Sequence, residues 1–169
     1  ADATLNAALA IGRVGVHRPR TPLAVIAMGK SGGRELNYIS DVDVIFATDE
    51  SDSINDATQI ARGLMRACSA ITAEGSIWEV DAALRPEGKQ GALVRTVESH
   101  VGYYQRWAST WEFQALLKSR CVAGDPIVGE QYIHGVQPFI WAAADRDGFV
   151  TDVQAMRRKV EENVDASVA

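Results

Sequence analysis

Two aspartates stand two residues apart in Asp41-Val42-Asp43, directly ahead of the apolar run Val44-Ile45-Phe46. A third, Asp81, lies inside Ile77-Trp78-Glu79-Val80-Asp81-Ala82-Ala83-Leu84. Residues two apart on a strand share a face, so Asp41 and Asp43 present their carboxylates together at the edge of an apolar sheet. Like charges that close raise each other's pKa and oppose joint ionisation. A divalent cation between them removes that cost, and hard oxygen donors suit Mg²⁺. Asp81 adds the third carboxylate used in two-metal phosphoryl chemistry. An Asp-x-Asp triplet alone is more often a solvated loop pair; the setting distinguishes this one. Gly29-Lys30-Ser31-Gly32-Gly33 precedes it by a short polar segment, and a glycine-rich turn lets backbone N–H groups approach a phosphate. The two features together suit nucleotidyl transfer.

Cations follow the third carboxylate. Arg85-Pro86-Glu87-Gly88-Lys89-Gln90-Gly91 leads into Ala92-Leu93-Val94-Arg95, a glycine-punctuated, hairpin-like turn between two extended pieces. Arg85, Lys89 and Arg95 form either a solvated loop or a clamp on phosphate oxygens, Arg as a planar fork and Lys as a point charge. Further on, Glu112, Lys118 and Arg120 sit among apolar residues and must be paired or aimed into a site. Tyr103, Tyr104, Trp107 and Trp111 fall at helical spacing and read as core.

Other chemistries fit less well. A P-loop ending at Gly29-Lys30-Ser31 would need glycine at position 24, which is Ala24. His17, His100 and His134 lack zinc-ligand spacing. Gly29-Lys30-Ser31-Gly32-Gly33 also matches the G-x-S-x-G nucleophile elbow, with Asp81 and His100 following in order. That reading lacks an earlier strand to supply an oxyanion-hole loop, and it leaves three strand aspartates unexplained.

The elements that must position these residues are legible in outline. Leu5, Ala8, Leu9 and Gly12 predict a lead-in helix, and Arg18-Pro19-Arg20-Thr21-Pro22 a rigid connector. Leu23 to Met28 reads as the first strand and the segment bearing Asp41 and Asp43 as the second. Gly32-Gly33 is expected to open a short helix carrying Arg34, Glu35 and Leu36. Ser53 with Asp56 suggests a capping box. It opens a helix with the apolar stripe Ala57, Ile60, Ala61, Leu64, Met65, Cys68 and Ile71, closed by Gly75. Ile77–Leu84 reads as a third strand. Thr96 is expected to cap a helical region carrying Val101, Tyr104, Ala108, Trp111 and Ala115, broken at Gly124-Asp125-Pro126. Two more helices follow around Pro138-Phe139-Ile140-Trp141.

The chain has 169 residues, 47% of them hydrophobic, and a net charge of −5. One domain with a helical appendage is expected, and a general nucleic-acid surface is disfavoured. Cys68 and Cys121, both in apolar helical context, read as reduced core thiols of a cytosolic protein. No transmembrane run is visible. The ends, Ala1 and the segment after Arg157-Arg158-Lys159, look cut from a longer chain.

Three stretches, AMGKSGGRELNYISDVDVIF, VDAALRPEGKQGALVR and YYQRWASTWEFQALLKSRCVAGD, together spanning Ala27 to Asp125, resemble the glutamine synthetase adenylyltransferase / adenylyl-removing family. The resemblance implies an α+β, DNA polymerase β-like nucleotidyltransferase fold: a small mixed sheet with packed helices and a helical C-terminal portion. It divides the chain into a lead-in helix and connector (1–22), a catalytic core (23–125) and a helical extension (126–169). The family carries two such halves in one chain. One attaches AMP to a tyrosine of glutamine synthetase; the other removes it by phosphorolysis, releasing ADP. The resemblance assigns Asp41, Asp43 and Asp81 as catalytic, metal-binding residues of a two-Mg²⁺ site. It makes Gly32 and Gly33 the phosphate-side turn, within a phosphate- and nucleotide-binding set of Lys30, Ser40, Arg85, Lys89, Arg95 and Lys118. Two departures stand out: Ser31 replaces a bulky apolar residue, and Ala82-Ala83 occupy positions where an Arg or Met is usual. ELNYISD, LRPEGKQGALVR and PFIW look more like the removing half, with the attaching half and a silent regulatory domain as alternatives. Expected partners are adenylylated glutamine synthetase, phosphate and ADP or ATP, and a PII-type regulatory protein for the full-length enzyme, in the cytoplasm, with neither nucleic acid nor membrane.

Overall fold

The computed structural model describes every residue except Tyr38, Ile39, Glu74 and Ala169, and of 159–168 the backbone alone. The chain runs α1 (Asp2–Gly12), β1 (Ala24–Ala27), α2 (Gly29–Gly32), β2 (Val42–Thr48), α3 (Ile54–Ser69), β3 (Val80–Asp81), β4 (Val94–Thr96), α4 (Val97–Arg106), α5 (Thr110–Leu116), β5 (Arg120–Gly124), α6 (Pro126–Ala143) and α7 (Phe149–Val168). The strands form one mixed sheet in the order β3-β2-β1-β5, with β4 also on β2. β1 lies antiparallel to β2 and β5, whereas β3 and β4 lie parallel to β2.

Alternation along the strands sorts the core into two layers. Val25, Ala27, Val44 and Phe46 face α1 and α3, with Leu5, Leu9, Ile60 and Leu64. Ala24, Ile26, Ile45 and Ala47 face α4, α5 and α6, with Tyr104, Phe113, Leu116 and Tyr132. Burial on both faces explains why β1 and β2 read as unbroken apolar runs rather than alternating ones. α1 and α3 cross backbone to backbone. A Cβ on Gly12 would stand 2.6 Å from the Ile60 carbonyl oxygen, and one on Gly63 2.7 Å from the Gly12 Cα.

Several local expectations are corrected. The helix after β1 opens at Gly29 and ends at Gly32-Gly33 rather than starting there, and Arg34 leaves it with φ of 60°. Ser53 makes no capping box, because it continues a 3-10 turn from Ser51 in helical conformation; its hydroxyl donates to Glu50 and Asp56 instead pairs with Arg18 at 2.9 Å. α3 stops at Ser69, so Ile71 is exposed, and Gly75 belongs to a separate bend closed on Thr72. The third strand shrinks to Val80–Asp81, because the N–H groups of Ile77 and Trp78 both go to the Cys68 carbonyl at the end of α3.

The expected hairpin is absent: β3 and β4 occupy the same edge of β2 in succession and never pair. Thr96 does cap α4, its hydroxyl accepting the Ser99 N–H at 3.1 Å. The helical region then breaks at Trp107, and Ser109 with Glu112 forms a capping box for α5. Tyr104 is core, but Trp107 and Trp111 are exposed. Residues 120–124 form β5 rather than helix, which puts Cys121 on a strand; Cys68 is buried on α3, and both thiols are free. α6 runs through Pro138, and the break before α7 lies at Ala144–Gly148. No helix among the described residues is long and apolar enough to cross a membrane.

Candidate metal and phosphate site

β2 carries Asp43 as its second residue, with Asp41 just outside the strand. Asp43 has the parity of Ile45 and Ala47, so it stands on the α4–α6 face. In the parallel pairing of β2 with β3, Val42 opposes Val80 and Asp43 opposes Asp81. Paired residues share a face, which brings the third carboxylate beside the second. One oxygen from each of Asp41, Asp43 and Asp81 lies within 4.8 Å of the others. Asp41 is exposed; Asp43 and Asp81 are half-buried.

Burial first, and then the charges of Asp41 and Asp81, push the Asp43 carboxyl above its ordinary value, while Lys30 pulls it down. Three converging carboxylates, with Asp43 partly desolvated and its proton affinity raised, are the donor set a hard divalent cation would stabilise. Their residues therefore fit a metal.

The glycine-rich turn abuts this cluster. Gly29 has φ of 48°, and a Cβ there would sit 3.2 Å from Asp43 Oδ2. The Met28 N–H donates to the Asp43 carbonyl at 2.9 Å. Behind the turn, Gly32 packs so closely on β5 and the loop before it that a Cβ would fall 2.1 Å from the Lys118 carbonyl. The Lys118 side chain passes over Gly33 to Glu35, 2.6 Å away. Arg120 finishes the turn: Nε reaches the Gly32 carbonyl at 3.2 Å, and the guanidinium holds Asp2 at 2.7 Å. Ser40 donates to Asn37.

The predicted cations are thus largely committed. Arg85 donates to the carbonyls of Ala82, Lys89 and Gly91, Arg95 pairs with Glu87, and Lys118 with Glu35. Among the described residues, Lys30 and Lys89 are exposed and hold no such pair. Of Glu112, Lys118 and Arg120, expected to be paired or aimed into a site, Lys118 and Arg120 are ion-paired and Glu112 accepts the Ser109 N–H at 2.8 Å.

Sequence reasoning missed the roles of Gly29 and Arg120. Positive φ leaves no trace beyond the glycine itself, and Arg120 acts through Asp2, 118 positions away. The α4–α5 break did have a signal: Ser109-x-x-Glu112 is a capping-box spacing. The rival Ser31 is buried, and its Oγ has no hydrogen-bond partner. His100 is buried against the Phe46 carbonyl at 3.4 Å, so its Nε2 is turned to the backbone.

A small mixed sheet flanked by helices, with a carboxylate cluster beside a glycine-rich turn, is compatible with a nucleotidyltransferase-like domain. A family model for glutamate-ammonia ligase adenylyltransferase matches residues 2–134, and the chain belongs to that family. The bifunctional glutamine synthetase adenylyltransferase/adenylyl-removing enzyme of Streptomyces coelicolor is 58% identical over 97% of this chain and 18% of its own length. The Streptomyces avermitilis enzyme of the same name is 57% identical over 99% of the chain, and that of Mycobacterium tuberculosis 56% identical over 99%. The chain spans less than a fifth of the length of these relatives.

Proposed function

We propose that the chain is the core of an adenylyl-removing half: it strips AMP from a tyrosine of glutamine synthetase by phosphorolysis and releases ADP. The observation that carries nucleotidyl transfer is the convergence of Asp41, Asp43 and Asp81 within 4.8 Å, next to Gly29. The removing direction rests on the likeness of ELNYISD, LRPEGKQGALVR and PFIW to that half. The names of the relatives, adenylyltransferase/adenylyl-removing enzyme, support the reaction class. On this reading residues 23–125 are a DNA polymerase β-like catalytic core, preceded by the helix and connector of 1–22 and followed by the helical extension of 126–169. The full-length enzyme works in the cytoplasm and answers to a PII-type protein.

Asp41, Asp43 and Asp81 would hold two Mg²⁺ ions, which would supply charge neutralisation at the α-phosphate. The chain's own contribution is placement. Gly29 leaves room against Asp43 for a phosphate oxygen, and Gly32, Gly33 and Ser40 shape the turn beside it. Lys30 and Lys89 are unpaired point charges for the incoming phosphate, with Arg95 and Lys118 available once they release their carboxylates. The phosphate oxygen forms a bond to the α-phosphorus as the bond to the tyrosine oxygen breaks. The phenolate leaves with a pKa of about 10, and the joined phosphates depart as ADP.

The test is product analysis. With adenylylated glutamine synthetase or an adenylyl-tyrosine peptide, Mg²⁺ and phosphate, the expected product is ADP, lost when phosphate is omitted. Pyrophosphate from ATP and unmodified synthetase, with no ADP in the first assay, would assign the attaching half instead.

A further inference from the structure

Asp81 joins the carboxylate cluster from the shortest strand of the sheet. β3 is two residues long and Asp81 is its last, so beyond the pairing with Asp43 it is the following turn that fixes where the side chain points. That turn belongs to a loop that leaves the edge of β2 after Asp81 and rejoins the same edge at Val94. We propose that Arg85 is a positioning residue for Asp81: its guanidinium, bonded to three carbonyls of the 82–91 loop, fixes the turn that holds the third carboxylate in the cluster. The inference rests on the metal reading of that cluster.

Nη1 of Arg85 donates to the Ala82 carbonyl at 2.7 Å, Nε to Gly91 at 3.0 Å and Nη2 to Lys89 at 3.0 Å. The first bond fixes one side of the Ala82–Ala83 peptide, and the N–H on the other side, that of Ala83, donates to Asp81 Oδ1 at 2.7 Å. One peptide unit therefore links the guanidinium to the metal-facing carboxylate. The other two bonds close the far end of the loop onto the same point. The loop has little slack elsewhere. Glu87 and Gly88 both have positive φ, and a Cβ at Gly91 would fall 2.0 Å from the Pro86 carbonyl. Arg95, at the return strand, ties down Glu87. Three carbonyls around one planar fork suit arginine; an ammonium cannot reach the same three positions from one point. A guanidinium so engaged has its donors turned into the loop, and that separates Arg85 from a cation waiting for phosphate.

The experiment combines amide exchange with a double-mutant cycle. Arg85→Lys keeps the positive charge near Asp81 and removes the fork. In metal-free protein, the Ala83 amide is expected to exchange about tenfold faster or more, while Ile26 in the central strand stays slow, which shows that the fold is kept. Mn²⁺ affinity by titration calorimetry should fall about 10-fold, the scale of lost support for a metal ligand. In an Asp81→Asn background the same substitution should add little, because coupled positions are not additive. Arg85→Gln, which keeps two donors, serves if the lysine variant does not fold. Unchanged exchange at Ala83, or an equal loss of Mn²⁺ affinity in both backgrounds, overturns the proposal. So does a raised phosphate KM at unaltered Mn²⁺ affinity, which would make Arg85 a phosphate ligand. If Asp81→Asn itself leaves Mn²⁺ affinity intact, the metal reading falls and this inference with it.

Discussion

The two faces of the sheet are built on different terms. The face toward α1 and α3 is mainly aliphatic, from Leu5 and Leu9 to Ile60, Leu64 and the Gly12–Gly63 crossing, with Phe46 among them. The face toward α4, α5 and α6 carries the same strands' alternate residues but admits polar groups: the buried His100 and Glu112, the Tyr104–Tyr132 hydroxyl pair at 3.4 Å, and at one end the aspartate cluster. Strand alternation does this sorting. A residue's parity on β2 decides whether it meets the mainly aliphatic layer, whose buried polar groups Thr48 and Asp56 lie at its end, or the layer that holds His100, Glu112 and the aspartates. Both layers bury a hydrophobic core, and the carboxylate cluster lies at the edge of the second, so substitutions on the two faces should fail in different ways.

The largest effect is expected on the polar face. Asp43→Asn keeps size and removes one ligand charge together with the repulsion from Asp41 and Asp81. Turnover should fall by ~10²-fold or more, matching loss of several kcal/mol of charge stabilisation. The melting temperature of metal-free protein should stay level or rise, and the stabilisation given by added Mg²⁺ should shrink. Melts with and without Mg²⁺ check this, and a variant with parental turnover would remove Asp43 from the ligand set.

Leu64→Ala is the counterpart on the aliphatic face. Leu64 is fully buried on α3 against β2, so a cavity and lost transfer energy should cost roughly 2–5 kcal/mol. Urea unfolding measures that loss. Mn²⁺ affinity, taken below the unfolding midpoint, should not move; if it moves as far as stability does, the two faces are not separable.

How much of this was readable depended on whether a residue's partner lay nearby in sequence. Asp41 and Asp43 were legible because both flank one apolar strand, and the α3 stripe because its period spans four turns. Asp81 was legible as a strand carboxylate, although its strand is far shorter than the apolar run suggested. β5 was missed: Cys121-Val122-Ala123 is too short an apolar run to separate strand from helix, and only antiparallel pairing with β1 decides it. The hairpin expectation failed for a related reason. Two extended pieces joined by a glycine turn normally pair, but here the loop wound round Arg85 returns the chain to the same edge of β2. Nothing local encodes that β2 offers one edge to both. The polar character of the α4–α6 face was only partly visible: Glu112 stood out among apolar neighbours, but nothing local marks His100 as buried until the helices are docked.

His100 gives the finest test of the contrast, through pH. The imidazole is buried between Tyr104 and Tyr132, with its Nε2 toward the Phe46 carbonyl and Nδ1 unpartnered. Burial pushes its pKa down to about 4, and Arg95 acts in the same direction. The folded state therefore holds it neutral where the unfolded chain begins to protonate near 6.5. A group with a depressed folded pKa contributes stability that is complete above the unfolded value and lost as pH falls. The loss should run from about 6.5 down to about 4 and amount to at most about 3 kcal/mol. His100→Gln, neutral throughout, should flatten that part of the profile relative to the parent, as read from urea midpoints at matched pH values. Leu64→Ala should lower the whole curve and keep the parent's slope. An unchanged slope in His100→Gln would mean that the proton sensitivity of this face lies in the carboxylates at its edge rather than in its core.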